Sequence, residues 1–238
     1  MLKPALQKYG DYGLIAKWEN KITVEINEAV IQYEWAIMNR FETIIAETIP
    51  AYNSLLILLK SGEKPERWIT EFSNIQGTSN NETINYYWHI PVCYDPSLGM
   101  DLEELARIKN LSVPEIIKLH TQPEYHVFFT GFLPGFLYLG GLNERLHTPR
   151  KAVPRINVPA GSVAIGGQQT GIYPQNSPGG WQIIGHCPLP LFSPEKTPPT
   201  AFKAGDKIKF QPIDLETKEA IGIEIKAGVY QPLKKALK

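Results

Sequence analysis

The sequence predicts an α+β protein of two domains, in which a small N-terminal α/β-sandwich-type domain precedes a C-terminal domain of many short strands. A length of 238 residues is enough for two small domains. Residues 1–89 mix strand-like and helix-like apolar periods. After residue 90 the composition shifts, and short β-like runs among frequent glycines and prolines indicate a closed barrel or a sandwich. We therefore predict domains at 1–89 and 90–238.

The first half of the N-terminal domain contains two strand-like runs and one helical pattern. The short apolar run at 12–18 suits a buried strand, and the apolar residues at 22, 24 and 26 alternate with a period of two. Asn27 is the predicted N-cap of a helix, and Pro50 is its predicted end. One face of this helix carries apolar residues at spacings of three and four: Val30, Tyr33, Ile37, Phe41, Ile44 and Ile45.

The second half of this domain adds a strand, a helix and a further strand. The run at 54–59 predicts a fully buried strand, and 65–72 predicts a helix that follows a turn. Residues 76–82 form a predicted polar loop. The aromatic, β-prone run at 84–94 can connect the two domains.

The C-terminal domain begins with two predicted helices, at 101–109 and 112–120. In the second, Ser112 and Glu115 have the spacing of a capping box. Residues 213–238 mix Glu and Lys and are interpreted as a solvated terminal strand and tail. Between them lie four strand-like runs, at 125–130, 163–165, 182–184 and 207–211.

Charge and composition exclude several classes of function. Lysine plus arginine and aspartate plus glutamate number 24 each, so no excess positive charge favours nucleic acid or an anionic membrane. The N-terminus lacks the apolar core of a signal peptide, and no apolar run approaches a membrane span, so we expect a cytoplasmic protein. Cys93 and Cys187 are interpreted as buried small hydrophobes, and no metal site is predicted.

The glycine- and proline-rich segment at 131–188 is the predicted functional centre. Glycines let the backbone approach a ligand closely, and prolines hold long loops in one shape. The alternative interpretation is a barrel with unusually tight turns. The side chains interleaved with the glycines suit a small anionic or amide-bearing ligand: Arg150, Arg155, Gln168, Thr170, Tyr173, Ser177 and Trp181.

Five motifs of this segment carry a resemblance to a known family. They are GFLPGFLYLGGL at 131–142, TPR at 148–150, PR at 154–155, VPAGSVAIGGQQTGIYP at 158–174 and SPGGWQIIG at 177–185. In this order they resemble the B subunit of bacterial ATP-dependent 5-oxoprolinase, the family also called allophanate hydrolase subunit 1, carboxyltransferase domain or kinase A inhibitor-like. The resemblance extends upstream through IPVCYDP at 90–96 and DLEELA at 101–106 and covers most of the chain.

The resemblance implies a cyclophilin-like β-barrel in the C-terminal domain and a place in a heteromeric enzyme. This chain would pair with separate C-like and A-like 5-oxoprolinase subunits and cleave 5-oxo-L-proline to L-glutamate at the expense of ATP, with Mg²⁺. Two other functions occur among related proteins. One is a regulatory module that inhibits a histidine kinase, and the other is a carboxyltransferase-type partner in a urea carboxylase or allophanate hydrolase system.

The predicted ligand contacts follow from this chemistry. Arg150 or Arg155 would engage a carboxylate or phosphate bidentately, although both arginines could equally tie loops to the barrel. The substrate-lining set is Gln168, Thr170, Tyr173, Ser177 and Trp181. The sequence has no GxxxxGK[ST] motif, so either a partner holds the nucleotide or glycine turns supply backbone donors. Those turns contain Gly166, Gly167, Gly179 and Gly180.

Two histidine positions complete the predictions. His120 occupies the Leu-His position of the resemblance and is the preferred candidate for proton transfer, with a structural histidine as the equal alternative. His186 and Cys187 stand where the family usually has Arg-Thr. Because imidazole titrates near neutral pH and guanidinium does not, we expect a different anion affinity or pH dependence here.

Overall fold

The computed structural model describes residues 2–75 and 84–237, which divide into two compact units, Met1–Ile84 and Asn85–Lys238. The polar loop predicted at 76–82 lies outside the described residues. An N-terminal sheet with helices and a C-terminal closed barrel confirm the predicted α+β class. Among the described helices, none is both long and apolar enough to cross a membrane.

Over residues 2–75, the first unit is a four-stranded antiparallel sheet packed against two helices. Its strands lie in the order β1-β2-β4-β3. Alternate residues of β2 and β4 are buried against the helices, as the period of two requires. The elements are β1 (Ala5–Tyr9), β2 (Gly13–Lys17), α1 (Val24–Phe41), β3 (Ile45–Pro50), β4 (Ser54–Leu59) and α2 (Pro65–Ser73).

Helix α1 differs from its prediction at both ends. Thr23, not Asn27, is the N-cap, and its hydroxyl accepts a hydrogen bond from the Ile26 N–H at 3.3 Å. The strand predicted at 22–26 is therefore wrong. The helix also ends at Phe41, because β3 pairs with β4 as an edge strand from Ile45 onward. The isoleucines at 44 and 45 fit the helical spacing by chance, since both lie beyond the end of the helix.

In its described part, residues 85–237, the second unit contains ten strands, three helices and a short 3-10 helix at Glu144–Leu146. Helices α3 and α4 match their predictions, and the Ser112–Glu115 capping box is formed. The elements are β5 (Tyr86–Cys93), α3 (Leu102–Lys109), α4 (Val113–Thr121), β6 (Tyr125–Thr130), β7 (Leu137–Gly140), β8 (Arg155–Val158), β9 (Ser162–Gly166), β10 (Gln169–Ile172), β11 (Ser177–Gly179), β12 (Gln182–His186), β13 (Lys207–Ile213), α5 (Leu215–Lys226) and β14 (Lys234–Ala236).

Seven of these strands close into a barrel in the order β12-β9-β10-β7-β6-β13-β5. Pairing of His186 with Cys93 joins β12 to β5 and closes the ring. Strand β14 pairs with the beginning of β5 outside this ring, and β8 and β11 form a separate two-stranded ribbon. Helix α5 was not predicted, because none of its residues is fully buried and its sequence carries little apolar periodicity.

Strand β5 explains where the compact units divide. It pairs in parallel with β13 from Tyr87 to Cys93, so it belongs wholly to the barrel. Near its start, the indole of Trp88 donates to the buried carboxylate of Asp206 at 2.8 Å. The division between Ile84 and Asn85 thus lies five residues before the predicted boundary at 89 and 90.

Candidate functional site

Strands β9 and β12 have two buried faces, one inside the barrel and one outside it. Val163 and Ile165 of β9 point into the main barrel core, whereas Ala164 belongs to a separate apolar cluster. In β12, Ile184 likewise points into the barrel core, and Ile183 belongs to the separate cluster. Because side chains alternate along a strand, the second cluster lies on the outer face of the barrel. We call it the outer-face cluster: Phe136, Val158, Ala164, Tyr173, Trp181 and Ile183, flanked by Leu133 and Tyr138.

His120 lies in the barrel interior and has partners at both ring nitrogens. Its Nδ1 is 2.7 Å from the Tyr94 hydroxyl, and its Nε2 is 2.8 Å from Thr170 Oγ1. The ring also stacks on Phe210 at a centroid distance of 4.7 Å. The imidazole has no solvent exposure. Thr170 therefore does not line the outer-face cluster.

The hydrogen bonds around His120 identify its tautomer. Thr170 Oγ1 donates its single proton to the Ala164 carbonyl at 3.0 Å, so Nε2–H must donate to Thr170. Nδ1 then accepts from Tyr94. Burial lowers the pKa of His120 to about 3, which keeps the ring neutral. Both nitrogens are satisfied, an arrangement that favours the structural alternative; the proton-transfer role stays a prediction.

The outer-face cluster is built around two aromatic side chains that lie against glycines. Trp181 covers Gly166, where an added Cβ would lie 2.5 Å from the indole. Tyr173 covers Gly179, where an added Cβ would lie 2.3 Å from the hydroxyl oxygen. Phe136 contacts both aromatic rings edge-on at 5.5 Å. These glycines are needed for ring packing.

Three of the four glycines predicted to hold a nucleotide are engaged by other parts of the chain. Gly167 adopts a positive φ of 66° in the β9–β10 turn, but its N–H already donates to the Thr148 carbonyl at 2.7 Å. Gly166 and Gly179 are covered by the aromatic rings described above. Gly180 accepts a hydrogen bond from the Lys151 N–H at 2.7 Å through its carbonyl. The geometry therefore gives this prediction no support.

Arg150 is the exposed cation of the site. Its guanidinium carbon lies 5.7 Å from the centroid of the Trp181 ring. In the described part of the chain it makes no ion pair. Burial raises the pKa of Tyr173, while Arg150 and Arg155 act in the opposite direction. Both arginines thus lie close enough to Tyr173 to favour ionisation of its hydroxyl group.

Arg155 is held by Asp101, a residue that the sequence did not single out. Arg155 Nη2 lies 2.5 Å from Asp101 Oδ1, and Lys151 Nζ lies 2.9 Å from the same oxygen. The other carboxylate oxygen accepts from the Ile183 N–H at 2.7 Å. Burial opposes ionisation of Asp101, but these hydrogen bonds outweigh it and lower its pKa. This network ties β8 and α3 to β12.

Two buried polar atoms near the cluster have no hydrogen-bond partner among the described residues. They are Arg155 Nη1 and the hydroxyl oxygen of Ser177. Ser177 pairs with Val158 in the ribbon of β8 and β11, and Val158 belongs to the outer-face cluster. Unpaired buried donors are costly and are commonly found where a ligand or water binds.

The predicted site residues therefore separate into three locations. Arg150, Arg155, Tyr173, Ser177 and Trp181 lie at or beside the outer-face cluster. Thr170 and His120 lie inside the barrel, and Gln168 is exposed in the β9–β10 turn. Sequence analysis missed Asp101 because an aspartate before a helix is ordinarily explained as an N-cap.

His186 and Cys187 lie at the seam where β12 meets β5. Cys187 is buried, and burial raises the pKa of its thiol to about 12, which makes it unreactive. Cys93 is also buried, so both cysteines confirm the prediction. Burial, with a smaller effect of Lys218, lowers the pKa of His186. This imidazole is therefore neutral at physiological pH and does not replace a fixed cation.

The fold and the site together define an α+β protein whose barrel is filled with side chains and whose candidate ligand contacts lie on the barrel's outer face. The chain belongs to the carboxyltransferase domain family, subdomain C and D, whose model matches residues 4–202. It is 38% identical over 218 residues to the 5-oxoprolinase B subunit of Bacillus subtilis (strain 168), covering 86% of this chain and 91% of that protein. The 5-oxoprolinase B subunit of Escherichia coli O157:H7 is also 38% identical, over 213 residues, covering 85% of this chain and 93% of that protein.

Solved structures share the fold. The protein TTHA0988 superimposes with a TM-score of 0.76 at 30% identity, and the match covers 85% of this chain. It covers only 40% of the longer TTHA0988 chain. PH0987 from Pyrococcus horikoshii is 41% identical, with a TM-score of 0.54 over 92% of this chain and all of that one. The K. lactis urea amidolyase is 17% identical, with a TM-score of 0.81, and the match covers all of this chain and 16% of the amidolyase chain. At this identity it shows likeness of fold alone.

Proposed function

We propose that this chain is the B subunit of an ATP-dependent 5-oxoprolinase and acts together with A-like and C-like subunits to open 5-oxo-L-proline to L-glutamate. The proposal is supported by the identity to two 5-oxoprolinase B subunits over more than nine tenths of their length. One geometric observation carries the placement of the site. Arg150 is exposed, lies over the Trp181 ring and is without an ion pair in the described residues.

In this proposal, the substrate binds beside the outer-face cluster, whose buried side chains support the exposed Arg150. Trp181 is buried beneath Arg150 and supports it. Arg150 offers a planar donor pair to the carboxylate of 5-oxoproline. This cation–π contact leaves the charge of the guanidinium unneutralised and available to a substrate carboxylate. This chain would hold the substrate rather than supply the reacting groups.

ATP is assigned to the other subunits of the complex. A lactam resists water, and phosphorylation of the amide oxygen makes its carbonyl carbon a better electrophile. That step needs a phosphate site, with Mg²⁺ to balance the charge. Of the four predicted glycines, the Gly167 N–H already donates to the Thr148 carbonyl, and Gly166 and Gly179 lie against aromatic rings. We therefore derive no contact between this chain and the nucleotide.

The experiment is to assemble the chain with its A-like and C-like partner subunits and to measure ADP release that depends on 5-oxoproline. The variant is Arg150→Lys, which keeps the charge but loses the planar fork. We expect its KM for 5-oxoproline to rise about tenfold, as for loss of one charge-assisted hydrogen bond. The matched control is Arg67→Lys, because Arg67 lies over Trp68 at 5.0 Å in the first unit.

Two results would contradict the proposal at different levels. An assembled complex that releases no ADP in response to 5-oxoproline would refute the 5-oxoprolinase function. Turnover with equal KM values for the Arg150 and Arg67 variants would leave the function standing and remove Arg150 from the substrate site. Binding of the partner subunits by each variant must be verified first by gel filtration.

A further inference from the structure

Asp101 stands at the N-cap position of α3, yet its side chain does not cap that helix. Aspartate at this position ordinarily accepts hydrogen bonds from the N–H groups of the first turn. Here both carboxylate oxygens turn away from α3, toward the Ile183 N–H, Arg155 and Lys151. The side chain is only 2% exposed. Its interactions therefore serve the outer face of the barrel and not the helix.

The pairing with Asp101 fixes the direction of the Arg155 guanidinium. Nη2 is held at 2.5 Å from the carboxylate, whereas Nη1 is buried without a hydrogen-bond partner in the described residues. Because the guanidinium is planar and rigid, holding one terminal nitrogen sets the direction of the other. A buried, unpaired donor on a charged group is costly unless an acceptor arrives with a ligand.

The charged side chains around Asp101 carry a net positive charge, which favours binding of an anion. Asp101 and Glu104 together balance Lys151 and Arg155, with Lys151 Nζ at 3.1 Å from Glu104. Arg150 adds one further positive charge. A monoanionic ligand would bring the site to neutrality.

We propose that Asp101 is a positioning residue that holds Arg155 so that Nη1 donates to the carboxylate of the bound substrate. The identity of that substrate rests on the proposed function above. The substrate class is a small monocarboxylate, because a guanidinium edge matches carboxylate geometry and the site carries one unbalanced positive charge. Arg155 thereby contributes a fixed donor, and Arg150 contributes an exposed one.

The first test uses the assembled complex with Asp101→Asn, which keeps the shape and an acceptor for the Ile183 N–H but removes the charge. We expect the KM for 5-oxoproline to rise about tenfold, with kcat changed by less than about twofold and the KM for ATP unchanged. Arg155→Lys should give a similar increase, and the double variant should not exceed either by much, because both changes remove one interaction. Glu66→Gln is the matched control, since it removes an exposed carboxylate from the ion pair with Lys8 in the first unit.

The second test does not depend on turnover. Phenylglyoxal modifies arginines, and mass spectrometry of the full chain reports the rate at each one. Release from Asp101 should raise the modification rate of Arg155 about tenfold in Asp101→Asn, as for loss of one charged hydrogen bond. The rate at Arg150 should stay the same and serves as the internal reference. Urea denaturation checks that the variant is folded.

Each outcome decides a distinct point. Unchanged reactivity of Arg155 overturns the positioning role, whether or not the complex is active. If Asp101→Asn raises the reactivity of Arg155 but leaves the KM for 5-oxoproline unchanged, the role in substrate binding is overturned. A loss of kcat alone also overturns it, because that result indicates a smaller folded fraction. An inactive wild-type complex refutes the proposed 5-oxoprolinase function, and the Arg155 reactivity then still decides whether Asp101 positions this arginine. If Asp101→Asn does not fold, Arg155→Lys carries the KM test.

Discussion

At the scale of single residues, the structure separates two kinds of polar group that look alike in sequence. His120 and Thr170 form a closed chain of hydrogen bonds inside the barrel, with every proton assigned. Arg155 and Ser177 retain buried atoms without partners in the described residues. Satisfied groups stabilise a fold, whereas unsatisfied ones indicate where something else binds. This difference depends on three-dimensional partners and cannot be obtained from residue type or spacing.

The neutral, buried state of His120 predicts acid sensitivity. Its pKa is about 3 in the folded protein, whereas an unfolded histidine titrates near ~6.5. Between these values the unfolded state binds more protons, so stability is present above pH ~6.5 and is lost as the pH falls toward 3. His120→Gln, which can donate and accept but does not titrate, should reduce the pH dependence by up to about 1.4 kcal/mol per pH unit.

Urea denaturation at pH 7.5, 6 and 5 measures this difference. His126, whose pKa burial lowers to about 4, is present in both proteins and cancels in the comparison. Parallel stability curves for the wild type and the His120 variant would show that His120 is not buried and neutral as described.

At the scale of elements, strands with strong apolar content were predicted well, and marginal elements were not. The run predicted at 54–59 is β4, but it is buried at alternate residues and not throughout its length as predicted. The run predicted at 163–165 is the centre of β9, and the run at 182–184 is the first three residues of β12. Edge strand β1 and helix α5 escaped prediction, because an edge strand or a surface helix buries too little apolar surface to impose a period. The ribbon of β8 and β11 also has a weak local pattern. It is held in place by Val158 of β8, which packs in the outer-face cluster.

Glycine substitutions in β9 and α5 test the packing of these elements. In Gly166→Ala the new methyl group would lie 2.5 Å from the Trp181 ring, so the indole must move. We expect a loss of about 1–3 kcal/mol in the free energy of unfolding and an altered tryptophan emission spectrum. Gly222→Ala is the control, because nothing lies within 4 Å of the new Cβ in α5. It should stabilise the protein by up to about 1 kcal/mol.

Urea unfolding monitored by fluorescence and circular dichroism separates the two variants. Equal stability of the Gly166 and Gly222 variants would mean that Trp181 does not pack on β9 as described.

At the scale of the whole molecule, the two units each have their own apolar core. The change of composition near residue 90 indicated two domains. It could not show to which domain the aromatic run at 84–94 belongs. Pairing of β5 with β13, more than a hundred residues later, assigns that run to the barrel. Such a long-range pair leaves no local trace in the sequence.

Two fragments test this assignment. A fragment of residues 85–238 should unfold cooperatively in urea, because it contains β5 entire. A fragment of residues 90–238 should not, because it lacks Trp88 and leaves the buried Asp206 without the donors from Tyr86 and Trp88. Far-UV circular dichroism and urea titration of both fragments give the answer. Cooperative unfolding of the shorter fragment would place the start of the barrel at residue 90.

Strand β9 serves two structures at once, since one set of its side chains fills the barrel and the other set supports the outer-face cluster. A shift of one residue in its pairing would exchange the two sets, so that Ala164 and Gly166 would turn inward and Val163 and Ile165 would turn toward Trp181. The barrel would lose its filling and the cluster would lose the space for its indole in the same event. Correct register of this strand is therefore a shared requirement of the barrel core and of the outer-face cluster.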